Sequence, residues 1–392
     1  MERACPLCFG ARPVVELGVR KHAVQTRNGK FEWEFHDCVC TGCGFAMARN
    51  VPDLAFLKDY YAGAFQRITP GGAVPFGFDV EFRLQTLHEN LPAGARVLEA
   101  GADDGAFVRC MIAAGFDARG LDLVDGEDGA LVVRGAFEES GQSMPAADAV
   151  VSYYLLEHIV DPRQFLQTCR TMLTEGGLLV IEVPNLQTYP SEALYHEHFS
   201  YFTDGTLAAL VEATGFKIIA SLPRTASRYF GQTLVARMEH AKDAAVPLLA
   251  PGDVSDAVEE VRNLIAKGTE EIRARNDAAD ALIAKILAGV DGDPQKVEII
   301  VWGANLMATA VGQAAARAGI NKSSLVDRSP GKIGYEHDGF GQPVRAPEFT
   351  TTASHKRAFV ICSEVWSDHI RQDIEAMCLS DIAIYSAFAP RS

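Results

Sequence analysis

A chain of 392 residues is too long for one ordinary domain and calls for two or three, and 48% hydrophobic residues are enough to bury substantial cores. Thirty-six basic against 51 acidic side chains leave a net charge of −15, which excludes bulk attraction to nucleic acid or an anionic membrane while leaving room for a local anion site. No apolar run reaches membrane-spanning length, since the best, GLLVIEV, is broken by Glu182, and MERACPLCFG has no signal-type apolar region; the expectation is a cytoplasmic protein with neither a nucleic-acid nor a membrane partner.

Five of the nine cysteines fall within the first 43 residues, which in a cytosolic chain argues for metal rather than disulfides. Cys5-Pro-Leu-Cys8 and Cys40-Thr-Gly-Cys43 are two C-x-x-C knuckles with the spacing of a four-cysteine zinc ribbon. Cys38 is a fifth thiol able to substitute, though the paired spacing favours Cys40. Four thiolates close the coordination sphere, so the zinc is expected to be structural. The stretches VELGVRKHAVQT and KFEWEFHDC alternate enough to be short strands. Residues 51–78, with Asp59-Tyr60-Tyr61 and the glycine-rich ITPGGAVPFGF, read either as a lid over a site or as a plain linker.

A helix over residues 80–90 precedes the stretch RVLEAGADDG, residues 96–105. Val97 and Leu98 end a buried strand, and Glu99, Gly101 and Gly105 give E-x-G-x-x-x-G before a helix over residues 106–114. Such a turn leaves backbone N–H groups and open space for a ligand. Asp122 closes the next apolar segment, ARGLDLVD, where an acid can accept both hydroxyls of a ribose. The segment DAVVSYYLL is a strand, PRQFLQTCRTML a helix and GLLVIEVP a strand, an alternation that argues a doubly wound parallel sheet. Tyr153 or Tyr154, at the ligand edge of that sheet, can contact an adenosine or simply pack.

EALYHEHFSYF, residues 192–202, follows the IEVP strand end. Its His-x-His pair allows metal, but H-E-x-x-H spacing and an evident third ligand are lacking, and the position favours acid–base work. Further on, FGQTLVARME is a possible strand. A helix over residues 254–288 carries Val254, Val258, Val261, Ile265, Ile272, Ile283 and Ile286 on one face, with Gly268 a possible interruption and Gly289 a C-cap. The last hundred residues open a second α/β unit: VEIIVWGAN, the helix ATAVGQAAARAG, SSLVDRSP ending in Asp327, and the strand RAFVICSE.

E-x-G-x-x-x-G followed by Asp122 resembles the first motifs of a class I methyltransferase dependent on S-adenosylmethionine. With the cysteine ribbon, the IEVPN strand end and YHEHFSYFT, the chain resembles over nearly its whole length the sugar C-methyltransferases, which methylate C3 of 4-keto-deoxysugars attached to a nucleoside diphosphate. The resemblance implies an α/β fold in three parts: a zinc-binding ribbon at residues 1–65, a methyltransferase domain at 66–245, and a linker helix with a Rossmann-like substrate-binding domain at 246–392. It implies S-adenosylmethionine held by Glu99, Gly101, Asp104, Gly105, Asp122, Leu123 and Tyr153, and zinc held by Cys5, Cys8, Cys40 and Cys43. It implies His198 as base, with Tyr195 and Glu197 lining the sugar pocket; Glu197 is further expected to orient the imidazole, and His196 to pack or orient. The implied partner is a nucleotide-sugar, and the implied assembly a monomer or weak homo-oligomer. Two segments expected near the substrate depart from the family pattern: residues 303–308 read Gly-Ala-Asn-Leu-Met-Ala without its lysine, and residues 229–232 read Tyr-Phe-Gly-Gln.

Overall fold

The computed structural model describes residues 2–8, 13–26, 29–64, 79–123, 131–135, 137, 144–194, 197–224, 231–239, 251–328, 333–334, 340–350, 355–363 and 366–388. Tyr195, His196, the ITPGGAVPFGF segment, Tyr229 and Phe230 lie outside them. The chain divides into two compact units, one of Met1–Ala23, Glu32–Ala62 and Gly77–Glu270, the other of Val24–Phe31, Gly63–Phe76 and Glu271–Ser392.

The cysteine-rich region folds as strands β1 (Val14–Thr26), β2 (Gly29–Cys40) and β3 (Ala46–Ala48), the first two longer than the expected short strands. The connector that follows starts with a helix, α1 (Leu54–Ala64), which places Tyr60 and Tyr61 on a regular element.

Next come α2 (Val80–Asn90), β4 (Arg96–Ala100), α3 (Ala106–Ala113), β5 (Asp117–Asp122), β6 (Val132–Arg134) and β7 (Ala147–Tyr153). Asp79 starts α2 by accepting the Phe82 N–H at 3.1 Å. Ala149, Val150, Val151 and Ser152 of β7 are fully buried, as both faces of a central parallel strand must be. A 3₁₀ turn, Leu156–His158, leads to α4 (Pro162–Met172) and β8 (Leu173–Val183). Asp161 caps α4 through the N–H groups of Arg163 and Gln164, with Pro162 opening the helix. The chain continues through α5 (Pro190–Ala193), β9 (Ser200–Tyr201), α6 (Asp204–Glu212), β10 (Phe216–Arg224) and β11 (Gly231–Met238).

Two sheets result. β10-β11-β8-β7-β4-β5-β6 is the large sheet, and β1-β2-β3-β9 the small one. The large sheet is mixed rather than all parallel. β10 pairs antiparallel with β11, and β11 antiparallel with β8 through Gln232↔Val183 to Arg237↔Leu178. The six residues joining β10 to β11 are too few for a parallel crossover, which needs about a dozen. β3 pairs with β9 through Ala46↔Tyr201 and Met47↔Ser200, so the small sheet of the cysteine-rich region is continued by the strand that follows the Y-H-E-H run.

The long helix, α7 (Pro251–Ala288), is unbroken at Gly268. A Cβ there would lie 2.7 Å from the Pro190 carbonyl carbon and 2.8 Å from Leu194 Cδ1, so this glycine serves close packing against α5, not interruption. The helix stops before Gly289, but the left-handed backbone expected of a cap falls on Asp291 and Gly292, where the Gly292 N–H reaches the Leu287 carbonyl at 2.9 Å.

In the second unit β12 (Val297–Trp302), α8 (Leu306–Arg317), β13 (Ser323–Val326), β14 (Lys356–Ile361), α9 (Ser367–Ala376) and β15 (Ile382–Ser386) form a parallel sheet in the order β13-β12-β14-β15. Ile283 and Ile286 of α7 join Ile299, Val301, Leu325 and Val360 in its core. Among the described residues no helix is long and apolar enough to cross a membrane.

Candidate active site and thiolate cluster

The glycine turn lies between β4 and α3. Gly101 and Gly105 are both left-handed at φ 77°. A Cβ on Gly101 would press on the Leu155 side chain at 3.0 Å, and one on Gly105 would meet Val132 Cγ2 at 2.8 Å, so both positions require glycine on conformation and on space. Asp122, partly exposed at the end of β5, accepts the Asp103 N–H through Oδ2 at 2.8 Å, which ties the acid to the turn; Leu123 follows it in a bend. Asp104 is buried and accepts the Ala106 N–H at 2.9 Å, starting α3. Glu99 is 2% exposed, and its Oε2 has no hydrogen-bond partner. Burial, offset in part by Arg83 and reinforced by Asp122 and Asp104, pushes its carboxyl up to about 8. A buried, under-satisfied carboxylate beside an open glycine turn fits an incoming ammonium group.

Tyr153 packs edge-on to Phe107, and the Arg83 guanidinium lies 3.9 Å from its ring centroid. Arg83 in turn donates from Nη2 to Glu182 Oε1 at 3.0 Å, with both side chains essentially buried, and Thr233 Oγ1 donates to Glu182 Oε2 at 3.1 Å. The glutamate that broke the apolar run is thus half of a buried ion pair in the sheet centre.

At the carboxyl edge of the same sheet, the 3₁₀ turn after β7 and the segment after α5 bring Glu157, His158, Glu197 and His198 together. The His198 Nδ1 lies 3.1 Å from the Ala193 carbonyl. A carbonyl only accepts, so Nδ1 carries the proton and Nε2 of the neutral ring holds the lone pair. The contact that orients this imidazole is therefore the Ala193 carbonyl, while Glu197 accepts a short hydrogen bond from Tyr60. The His158 Nδ1 lies 3.0 Å from the Glu197 carbonyl and 3.4 Å from Tyr61 Oη. The two imidazoles meet edge to face, with centroids 4.7 Å apart. Burial, with Glu182 adding to it, pushes the Glu157 carboxyl up to about 8.

Sequence reading placed His198 and Glu197 here but missed Glu157 and His158. The pair Glu157-His158, a few residues past a buried strand's carboxyl end, was the available signal. Tyr60 was visible only as part of a connector, because nothing local marks residues 54–64 as a helix that packs on this edge. Tyr195 lies outside the described residues.

The four expected cysteines converge. Their sulfurs all lie within 4.8 Å of one another, with Cys5–Cys43 and Cys8–Cys40 each at 3.4 Å. Ligand sulfurs around one tetrahedral zinc at about 2.3 Å lie about 3.8 Å apart, whereas a disulfide would need about 2.05 Å, so the group fits a metal. The thiols of Cys43 and Cys5, with the Gly42 N–H, donate to Cys40 and hold it well below the usual thiol range. Burial, with Asp37 adding to it, pushes Cys38 up to about 12. Arg163, missed in the sequence, donates to the carbonyls of Pro6 at 2.9 Å and Leu7 at 2.8 Å, locking the first knuckle onto the start of α4.

The second unit repeats the first turn's device. The left-handed Gly303 follows β12, and Asp327, just past β13, accepts the Ala304 N–H at 3.0 Å. Asn305 caps α8 through the N–H groups of Met307 and Ala308, the place where the family pattern has a lysine-bearing turn.

Residues 80–221, the stretch that holds the glycine turn and the histidine cluster, match a family model described as a methyltransferase domain. The chain carries a class I methyltransferase domain of the S-adenosylmethionine-dependent kind. Among curated relatives, the C-methyltransferase NovU of Streptomyces niveus is 28% identical over 240 residues, which cover 57% of this chain and 54% of that protein. The ubiquinone biosynthesis O-methyltransferase of Xanthomonas axonopodis is 29% identical over 117 residues, 26% of this chain and 49% of that protein. The chain thus spans about half the length of these relatives. Among solved structures, a Burkholderia thailandensis 1,6-didemethyltoxoflavin-N1-methyltransferase aligns at a TM-score of 0.39 and 19% identity, covering 50% of this chain and 96% of that one.

Proposed function

We propose that the protein is a cytoplasmic S-adenosylmethionine-dependent C-methyltransferase acting on a keto-deoxysugar carried on a nucleoside diphosphate. The observation that carries this is His198. It is a buried histidine at the sheet's carboxyl edge whose Nδ1 is engaged by a backbone carbonyl, which puts the basic lone pair of the neutral ring on Nε2. Methyl transfer to oxygen or nitrogen does not require removal of a carbon-bound proton; methyl transfer to the carbon beside a ketone does. The similarity to a C-methyltransferase supports the same reading.

In this reading Glu99 holds the ammonium of S-adenosylmethionine, the 101–105 turn lies along its amino-acid end, Asp122 and Leu123 flank its ribose, and Asp104 and Tyr153 shape the pocket. Bound there, the cofactor supplies an electrophilic methyl on sulfur. The 4-keto group acidifies the sugar's C3–H, and His198 Nε2 removes that proton. Glu197, fixed by Tyr60, and Tyr195 line the sugar pocket, and burial of the cluster keeps water from the nascent carbanion. Because the methyl donor is already activated, most of the rate enhancement is positioning. Cys5, Cys8, Cys40 and Cys43 hold one structural zinc.

The test is turnover against a panel of 4-keto nucleotide-sugars with a carbon-13-labelled methyl donor, read by mass spectrometry and NMR. A new methyl bonded to carbon is the expected product. A methyl found only on oxygen or nitrogen would replace this reading with that of an O- or N-methyltransferase.

A further inference from the structure

The cluster at the sheet edge has a second chemical capacity. Glu157 is 1% exposed, and neither carboxylate oxygen has a hydrogen-bond partner. Its Oε1 lies 3.9 Å from His158 Nε2 and 4.0 Å from His198 Nε2. Both histidines face backbone carbonyls through Nδ1, those of Glu197 and Ala193, so each presents a lone pair at Nε2. A ring N–H donated to a carbonyl while the other nitrogen faces inward is how proteins orient metal-ligating histidines. The three inward atoms lie within 4.8 Å of one another.

We infer that Glu157, His158 and His198 form a binding site for a divalent first-row transition metal, separate from the thiolate cluster. Two imidazoles and one carboxylate suit zinc, cobalt or iron(II) better than magnesium or calcium, which prefer all-oxygen shells. Ligand atoms on a tetrahedral ion at about 2.1 Å lie about 3.4 Å apart, so closure draws the carboxylate oxygen and each imidazole nitrogen together by about half an ångström from their 3.9 and 4.0 Å separations. An ion there also gives the buried Glu157 carboxylate a cationic partner. Three protein ligands leave at least one coordination position open.

The site carries a consequence for the reaction. Nε2 of His198 has one lone pair, so it cannot ligate a metal and accept a proton together. Metal occupancy therefore inhibits the proposed proton removal. That arm rests on His198 being the base; the binding arm does not.

The experiment uses the full chain with zinc already bound at one equivalent, titrated with cobalt(II) and followed by absorption and calorimetry. One further equivalent is expected, with ligand-field bands and no thiolate-to-cobalt charge transfer, and its affinity should fall at least tenfold in both Glu157→Gln and His158→Asn. Retained S-adenosylhomocysteine binding identifies variants that have folded, and His158→Asn keeps the test open if Glu157→Gln does not fold. The absence of a second equivalent, or one whose affinity neither substitution alters, overturns the site. Cobalt should also stop substrate C3 proton exchange in the wild type, with chelation restoring it. Exchange that persists with the site filled leaves the metal site standing and removes His198 from the role of base.

Discussion

Glu99 is the residue whose chemistry is most open to measurement. In the ligand-free protein its carboxyl titrates at about 8, because burial outweighs the neighbouring Arg83 and because Asp122 and Asp104 add to the upward shift. At neutral pH it is therefore mostly protonated, and gripping an ammonium requires it to ionise. That costs about 1.4 kcal/mol for each pH unit below its titration point, a factor of about ten in affinity. Binding of S-adenosylhomocysteine should release close to one proton per site at pH 7. Affinity should rise about tenfold per unit from about pH 6 to about pH 8 and then level off. The sign for stability is opposite. The folded pKa lies above the unfolded value of 4.5, so the native state holds a proton that the unfolded chain has lost, and stability of the free protein falls as pH rises from 4.5 to about 8. Glu99→Gln keeps the shape and removes the charge. It should abolish the slope and, above about pH 8, weaken binding about ten- to a hundredfold, the loss of a charge-assisted hydrogen bond of about 1.5–3 kcal/mol. Calorimetry in buffers of different ionisation enthalpy reads affinity and proton release together. A pH-independent affinity with no proton release, or wild-type affinity in Glu99→Gln, would show that Glu99 does not hold the ammonium.

Arg83→Met strands Glu182 in the sheet centre and should lower unfolding free energy by about 3–5 kcal/mol in denaturant melts; a loss under 1 kcal/mol would show the pair is not desolvated as its geometry implies. Gly268→Ala gains about 1 kcal/mol of helix propensity, but its Cβ meets the Pro190 backbone at 2.7 Å, so overpacking of about 1–3 kcal/mol should win and the melting temperature should drop. Gly205→Ala, with nothing within 4 Å of the new methyl, should be neutral or stabilising in the same assay. Cys5→Ser should cost the protein its stoichiometric zinc and much of the stability of the β1–β3 region, read by elemental analysis and hydrogen exchange; wild-type protein purified without chelator and free of zinc would reject the metal assignment.

The α/β core was legible because parallel strands buried on both faces read as apolar runs. The glycine turn was legible for a steric reason: only glycine tolerates φ 77° with Leu155 and Val132 pressing in. What escaped depended on tertiary packing. The antiparallel edge was missed because FKIIASLPR was not read as a strand, although its burial alternates along the strand as that of a one-sided edge does. Gly268 looked like a helix breaker because sequence shows its cost in propensity but not Pro190 against it. The partner of His198 was also hidden, since adjacency in sequence suggested Glu197 whereas the contact is the Ala193 carbonyl, five residues back. His158, forty residues from His198, meets it only through the fold.

Removal of a carbon-bound proton beside a ketone by His198 is read by deuterium exchange in heavy water with S-adenosylhomocysteine in place of the donor. The wild type should exchange the C3 proton of a 4-keto nucleotide-sugar, and His198→Asn should lose about 10²–10⁴-fold in that rate while binding S-adenosylhomocysteine normally. Equal exchange by the two proteins, or none by a wild type that turns the sugar over, would remove His198 from the role of base.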